Sequence, residues 1–130
     1  MFQDINEDSI YKLMDIFYDK VKADKQGLGD VFIAKIGKDN AMWQEHKTKI
    51  ASFWKGMLLG IGGYKGQPLK AHLELPTFPL ELFSVWLGLF EESLREVYEQ
   101  EEHVILILSR AKTIAKRFQY ALSNFKHDIT

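Results

Sequence analysis

The sequence predicts an all-α fold, and three observations carry that reading. Between glycine and proline breaks, apolar residues recur at three- and four-residue steps; no segment alternates apolar and polar side chains as a half-buried strand would; and a 130-residue chain that is 46% hydrophobic and 13% aromatic can bury one core without staples. No internal repeat and no low-complexity linker divides the chain, so residues 1–130 are read as a single domain.

From Ser9 to Ala23, the residues Ile10, Leu13, Phe17 and Val21 form a helical stripe with Tyr18 one step round the same face, and Asp4 with Glu7 is the expected capping pair ahead of it. Gly27-Leu28-Gly29 breaks the pattern. Val31, Phe32, Ala34 and Lys35, ahead of Gly37, predict one or two further helical turns with Phe32 facing inward. Asp39 or Asn40 then caps a long helix whose inward residues are Trp43, His46, Ile50, Phe53, Trp54, Met57 and Leu58. The glycine-rich stretch from Gly60 to Pro68 ends it.

Helix resumes over Leu69 to Leu75, walled off by Gly66-Gln67-Pro68 on one side and Pro76 on the other, with His72 at its middle. Thr77 is the expected cap of the next helix, with Pro79 in its first turn and Leu82, Phe83, Trp86, Phe90, Leu94 and Val97 on its buried face. Val104, Ile107, Ala111, Ile114, Phe118, Leu122 and Phe125 predict a last helix of about 22 residues at the 3.6-residue period. His103 and His127, in an acidic turn and at the C-terminus, are expected on the surface.

Bulk composition excludes several classes of function. A formal net charge of −1 gives no basic footprint for nucleic acid. The absence of cysteine removes disulfides, thiolate metal sites, thiol nucleophiles and covalently attached c-type haem. The acidic N-terminus from Met1 to Asp8 lacks the pattern of a secretory signal, and the apolar run from Leu82 to Phe90 is about half the roughly 20 residues a membrane span requires. The expectation is a soluble, cytoplasmic protein.

The chemistry lies in four rings. His72 stands alone on its proline-bounded segment, His46 lies on an apolar helical face, and Tyr18 and Trp86 lie on the apolar faces of two other helices. Burying all four without partners would cost on the order of 1 to 3 kcal/mol for each orphaned polar group, so a ligand in their shared interior explains them better than core packing alone. Neutral imidazole is a common metal ligand, and without cysteine a non-covalent haem b held by one histidine fits best. Zinc enzymes fit less well because Glu45-His46 has no second histidine at the required spacing. Gly60-Ile61-Gly62-Gly63 follows a helix and lacks the lysine of a phosphate loop, and the carboxylates fall on polar faces where no acid-base pair is visible.

Taken in order, Phe17-Tyr18, Trp43-x-x-His46, Phe53-Trp54, Tyr64-x-Gly66-x-Pro68-x-x-x-His72 and Trp86-Leu87 give the chain a resemblance to the truncated haemoglobins, specifically their third group, across nearly its whole length. The resemblance implies a shortened globin fold, a two-over-two helical sandwich around haem. It implies that His72 is the proximal iron ligand, that Tyr18, His46 and Trp86 are the distal residues that stabilise a bound ligand, that Phe32 wedges the haem and that Ile50 is the apolar distal neighbour. Trp54, Phe78 and Phe83 complete the expected cofactor contacts, and Lys49 and Tyr64 are able to hold the propionates, one as a charge and one as a hydrogen-bond donor. Groups one and two usually carry paired glycines at two loop positions. Here Gly27 and Gly29 are separated and Gly62-Gly63 is the one pair, which agrees with the third group.

The function expected from this site is binding of dioxygen, nitric oxide or another small diatomic ligand. Tyr18 and Trp86 are neutral donors that would hold a partly anionic ligand and slow its release, which suits a carrier poorly and favours redox use: nitric oxide dioxygenation or peroxidase-like oxidation. Either enzyme reading needs an external reductase, since the chain has no second cofactor motif. The alternative is an oxygen-binding or storage globin without catalysis, and the expected state is a monomer.

Overall fold

The computed structural model describes residues 1–60 and 81–129, with side chains through residue 120. Among these residues five α-helices and no strand are present: α1 Glu7–Ala23, α2 Leu28–Ile36, α3 Asn40–Leu59, α4 Leu82–Val97 and α5 Glu101–Ile129. α1 packs on α3 and α4 packs on α5, and contacts between α1 and α4 join the two pairs. α2 fills the corner between α1, α3 and α4. No described helix is long and apolar enough to cross a membrane.

The boundaries follow local chemistry, and some differ from those the sequence predicts. α1 is capped by Asn6 and Ser9, not by Asp4 and Glu7. The Asn6 side chain accepts from the Ser9 N–H at 2.8 Å and Ser9 Oγ accepts from the Asn6 N–H at 2.9 Å. The earlier residues are committed elsewhere: the Phe2 N–H donates to the Val97 carbonyl at 2.7 Å and the Glu99 N–H donates to the Phe2 carbonyl at 3.0 Å, tying the N-terminus beside the end of α4. Ser9 and Tyr98 add a buried hydroxyl pair at 2.8 Å between α1 and the α4–α5 turn. α2 is nine residues, longer than expected. Asp39 is the cap of α3, its carboxylate accepting from the Ala41 N–H at 3.0 Å. At the other end of α3, Gly60 adopts the left-handed conformation with φ 71°, which glycine reaches without a Cβ penalty. α5 runs 29 residues rather than about 22, because Glu101 and Glu102 lie in its first turn, where acidic residues complement the helix dipole. Leu122, Phe125 and His127 have side chains outside the described set, and Thr77 and Pro79 lie outside the described residues.

Two inward assignments also change. Met57 is exposed, since it falls past the edge of the stripe that Trp54 and Leu58 define at the end of α3. His103 is not a surface residue: its Nδ1 is buried, and its ring stands edge-on to Tyr98 at 6.2 Å because the chain folds back over Tyr98 at the turn.

The core centres on Phe90, which is fully buried in α4. Phe17 of α1 meets its ring edge-on at 5.1 Å, Trp54 of α3 stacks at 5.4 Å, and Trp86 stacks one turn earlier at 5.6 Å with the two planes 1° apart. Such aromatic pairs add about 0.5–1.5 kcal/mol each beyond the area they bury. Phe90→Ala should therefore destabilise the fold by about 3–5 kcal/mol in denaturant unfolding, where Phe53→Ala, half-buried at the rim, costs clearly less.

Candidate functional site

The fold brings Tyr18, Phe32 and His46 from three helices into direct ring contact. Tyr18 sits on the buried face of α1 one position past Phe17, and the His46 ring meets it edge-on at 4.6 Å with planes 90° apart. Phe32 from α2 lies 6.2 Å from each of them. Trp86 is linked to this group through Phe17, whose ring is 4.8 Å from Tyr18 and 5.7 Å from Trp86, both edge-on. The three helices carry these rings there because each ring occupies a stripe position of an amphipathic helix.

The Trp86 indole N–H is buried and has no hydrogen-bond acceptor among the described residues. A buried donor left unmade costs about 1–3 kcal/mol, so among the described residues the fold holds an unused donor in an aromatic interior, with Phe17 between it and the Tyr18–His46 pair. That arrangement can present neutral hydrogen-bond donors to a small polar ligand while rings exclude water. Among the described residues, no three histidine, aspartate or glutamate side chains gather as a metal-binding group.

The remaining expected contacts are placed unevenly. Ile50 is half-buried and packs on the core from α3, and Trp54 is buried against Phe90 and Phe53, the latter at 5.8 Å. Phe83 is buried and faces Phe118 of α5 at 6.5 Å. Lys49 is exposed and paired with Glu45 at 3.3 Å, one turn away on the same helix. His72, Tyr64 and Phe78 lie outside the described residues.

One residue of this neighbourhood escapes the periodicity analysis. Lys47, next to His46, is buried to 3% exposure, and its ammonium donates to Asp15 and to Asp19 of α1, each at 2.8 Å. Burial works to lower its pKa, but the hydrogen bonds and charges of the two carboxylates outweigh it and raise the ammonium above the ordinary lysine range. The stabilisation is complete below the pKa of an unfolded-chain lysine and is lost only as pH climbs through the higher folded value, so it is intact at neutral pH. The signal that marks it is the i,i+4 spacing of Asp15 and Asp19 on the α1 face that packs on α3.

No family model matches the chain. The group 3 truncated hemoglobin ctb of Campylobacter jejuni (serotype O:2, strain NCTC 11168) is 55% identical over 124 residues, covering 95% of this chain and 96% of that protein. The crystal structure of the group III truncated hemoglobin from Campylobacter jejuni superposes with a TM-score of 0.88 at 56% identity, covering 93% of this chain and 94% of that one. The fold is thus that of a truncated haemoglobin, and with more than half its residues identical to such a relative over nearly the whole of both chains, this chain belongs to the group III truncated haemoglobins.

Proposed function

We propose that the chain is a haem globin that binds dioxygen and other small diatomic ligands and uses them in redox chemistry. The observation that supports this most directly is the buried Trp86 N–H, which has no acceptor among the described residues and is joined through Phe17 to the Tyr18, Phe32 and His46 cluster, in a chain of this family. These residues fit haem: they combine neutral donors with aromatic rings, and a sequence without cysteine offers no thiol for covalent attachment, which supports non-covalent haem b. When bound, the haem would supply an iron able to hold a small diatomic ligand and exchange electrons with it.

The protein side of the mechanism is positioning and polarity. His72, the histidine of the family motif, would hold the cofactor through its imidazole. Phe32, Ile50, Trp54, Phe83 and Phe78 would give it apolar contact, and Lys49 and Tyr64 would hold its propionates. Tyr18 Oη and Trp86 Nε1 would donate to the ligand, and Trp86 would give up no hydrogen bond made among the described residues to do so. His46, edge-on to Tyr18, lines the route by which ligands reach them. Two donors on one acceptor retain dioxygen, and retention favours its use over its delivery. The substrates proposed are nitric oxide, which dioxygen would oxidise to nitrate with one electron from an external reductase, or a reducing substrate that would itself give peroxide its two electrons, in a cytoplasmic monomer.

Reconstitution with haem tests the cofactor assignment. The wild type should show a Soret band, His72→Ala should lose stable haem, and His46→Ala should keep it; an exchange of the two outcomes reverses the proximal and distal roles. A hydrogen bond to a charged acceptor is worth about 1.5–3 kcal/mol, so Tyr18→Phe and Trp86→Phe should each speed dioxygen release by about ten- to a hundredfold in stopped-flow measurements. The double variant should be non-additive, because the donors share one acceptor. Rapid mixing of the dioxygen-loaded protein with nitric oxide should yield stoichiometric nitrate. A slow reaction there, together with ready peroxide-driven oxidation of a reducing dye, would assign the peroxidase-like activity instead.

A further inference from the structure

We propose that Lys47 is a positioning residue for the distal pair, fixing the register of α1 against α3 so that the Tyr18 and His46 rings keep their edge-on contact. The inference rests on the haem reading only for what that contact does to ligands; the contact itself belongs to the protein. Asp15, Tyr18 and Asp19 fall at i, i+3 and i+4 of α1 and therefore share one side of the helix, while His46 and Lys47 are consecutive in α3. The Lys47 ammonium thus grips the turn of α1 that bears Tyr18, from the turn of α3 that bears His46.

The other polar links between these helices cannot do this as well. Lys22 reaches Asn40 at 3.2 Å, Tyr11 reaches Gln44 at 3.0 Å and Lys55 lies 4.0 Å from Glu7, all with solvent around them. Exposed pairs hold geometry weakly, and long side chains adjust to small shifts. Lys47 has no such freedom, being buried with two acceptors at 2.8 Å. Sliding α1 along α3 by one residue, about 1.5 Å, would stretch both bonds from their 2.8 Å length and offset the Tyr18 ring from the His46 edge by the same displacement.

The carboxylates of Asp15 and Asp19 keep 36% and 69% of their exposure, so removing the lysine leaves no buried orphan charge, and an apolar side chain of similar length fills its place. Lys47→Met should accordingly fold and unfold cooperatively like the wild type. Two readouts follow. Nuclear Overhauser contacts between the Tyr18 and His46 rings, measured with and without haem, should weaken in Lys47→Met. Dioxygen release from the haem-loaded variant should change by about threefold or more, the effect of a partly lost hydrogen bond. Asp19→Asn, at the more exposed acceptor, should move both signals the same way by less. Unchanged ring contacts in Lys47→Met would overturn the inference and leave Lys47 a packing residue; if Lys47→Met does not fold, unchanged contacts in Asp19→Asn overturn it equally. A wild type that takes up no haem, with ring contacts still weakened in the variant, would remove the haem reading and leave the positioning role standing.

Discussion

Phe90 is where α1, α3 and α4 meet, and the placement of every functional ring in the described structure is referred to it. Its faces and edges are taken by Phe17, Trp54 and Trp86, one from each helix. A flat ring accepts neighbours only at particular angles, face to face with offset or edge to face, so this junction sets orientation as well as distance. The parallel stack of Trp86 on Phe90 aims the indole, and the edge contact of Phe17 fixes the residue that precedes Tyr18. Aliphatic side chains of the same volume would fill the space without fixing those angles.

Around that apolar junction the fold keeps its polar groups in two different conditions. Ser9, Tyr98 and Lys47 are buried and fully engaged, binding the N-terminal helix to the α4–α5 turn and to α3. Trp86 is buried and its donor has no acceptor among the described residues. The satisfied groups supply rigidity, and the Trp86 donor supplies capacity for a guest. A site built this way gives up a little stability at Trp86, while Ser9, Tyr98 and Lys47 hold the surrounding helices through hydrogen bonds made inside the protein.

How much of this was legible in the sequence depends on the length scale of the signal. The stripes of α1, α3, α4 and α5 are periodic over three or more turns, and they located Phe17, Tyr18, Trp43, Trp54, Trp86 and Phe90 in the interior correctly. The cap of α1 was missed because Asp4, Asn6, Glu7 and Ser9 are all chemically able to cap, and only the pairing of Phe2 with the end of α4, 95 residues later in the chain at Val97, decides among them. His103 was missed for a similar reason: an acidic neighbourhood reads as surface, and the return of the chain across Tyr98 is a tertiary event. Lys47 was missed because a lysine on a helix is ordinarily solvated, and its partners lie 28 and 32 positions away on another helix. The family motif, spread over five short segments, identified the fold where no single segment would have.

The start of α2 has a consequence for how the site tolerates change. A Cβ at Gly29 would run into the backbone carbonyl of Asp24 and come within 2.9 Å of that of Val21, so α2 leans on the closing turn of α1 main chain against main chain. No rotamer can relax such a contact, and no neighbouring side chain defines it. The angle between the two helices is therefore a property of the peptide backbone, insensitive to which apolar residues happen to pack nearby. Phe32, one turn further along α2, inherits its station from that abutment, so sequence drift in the surrounding core can alter volume and stability while leaving the ring at the same address.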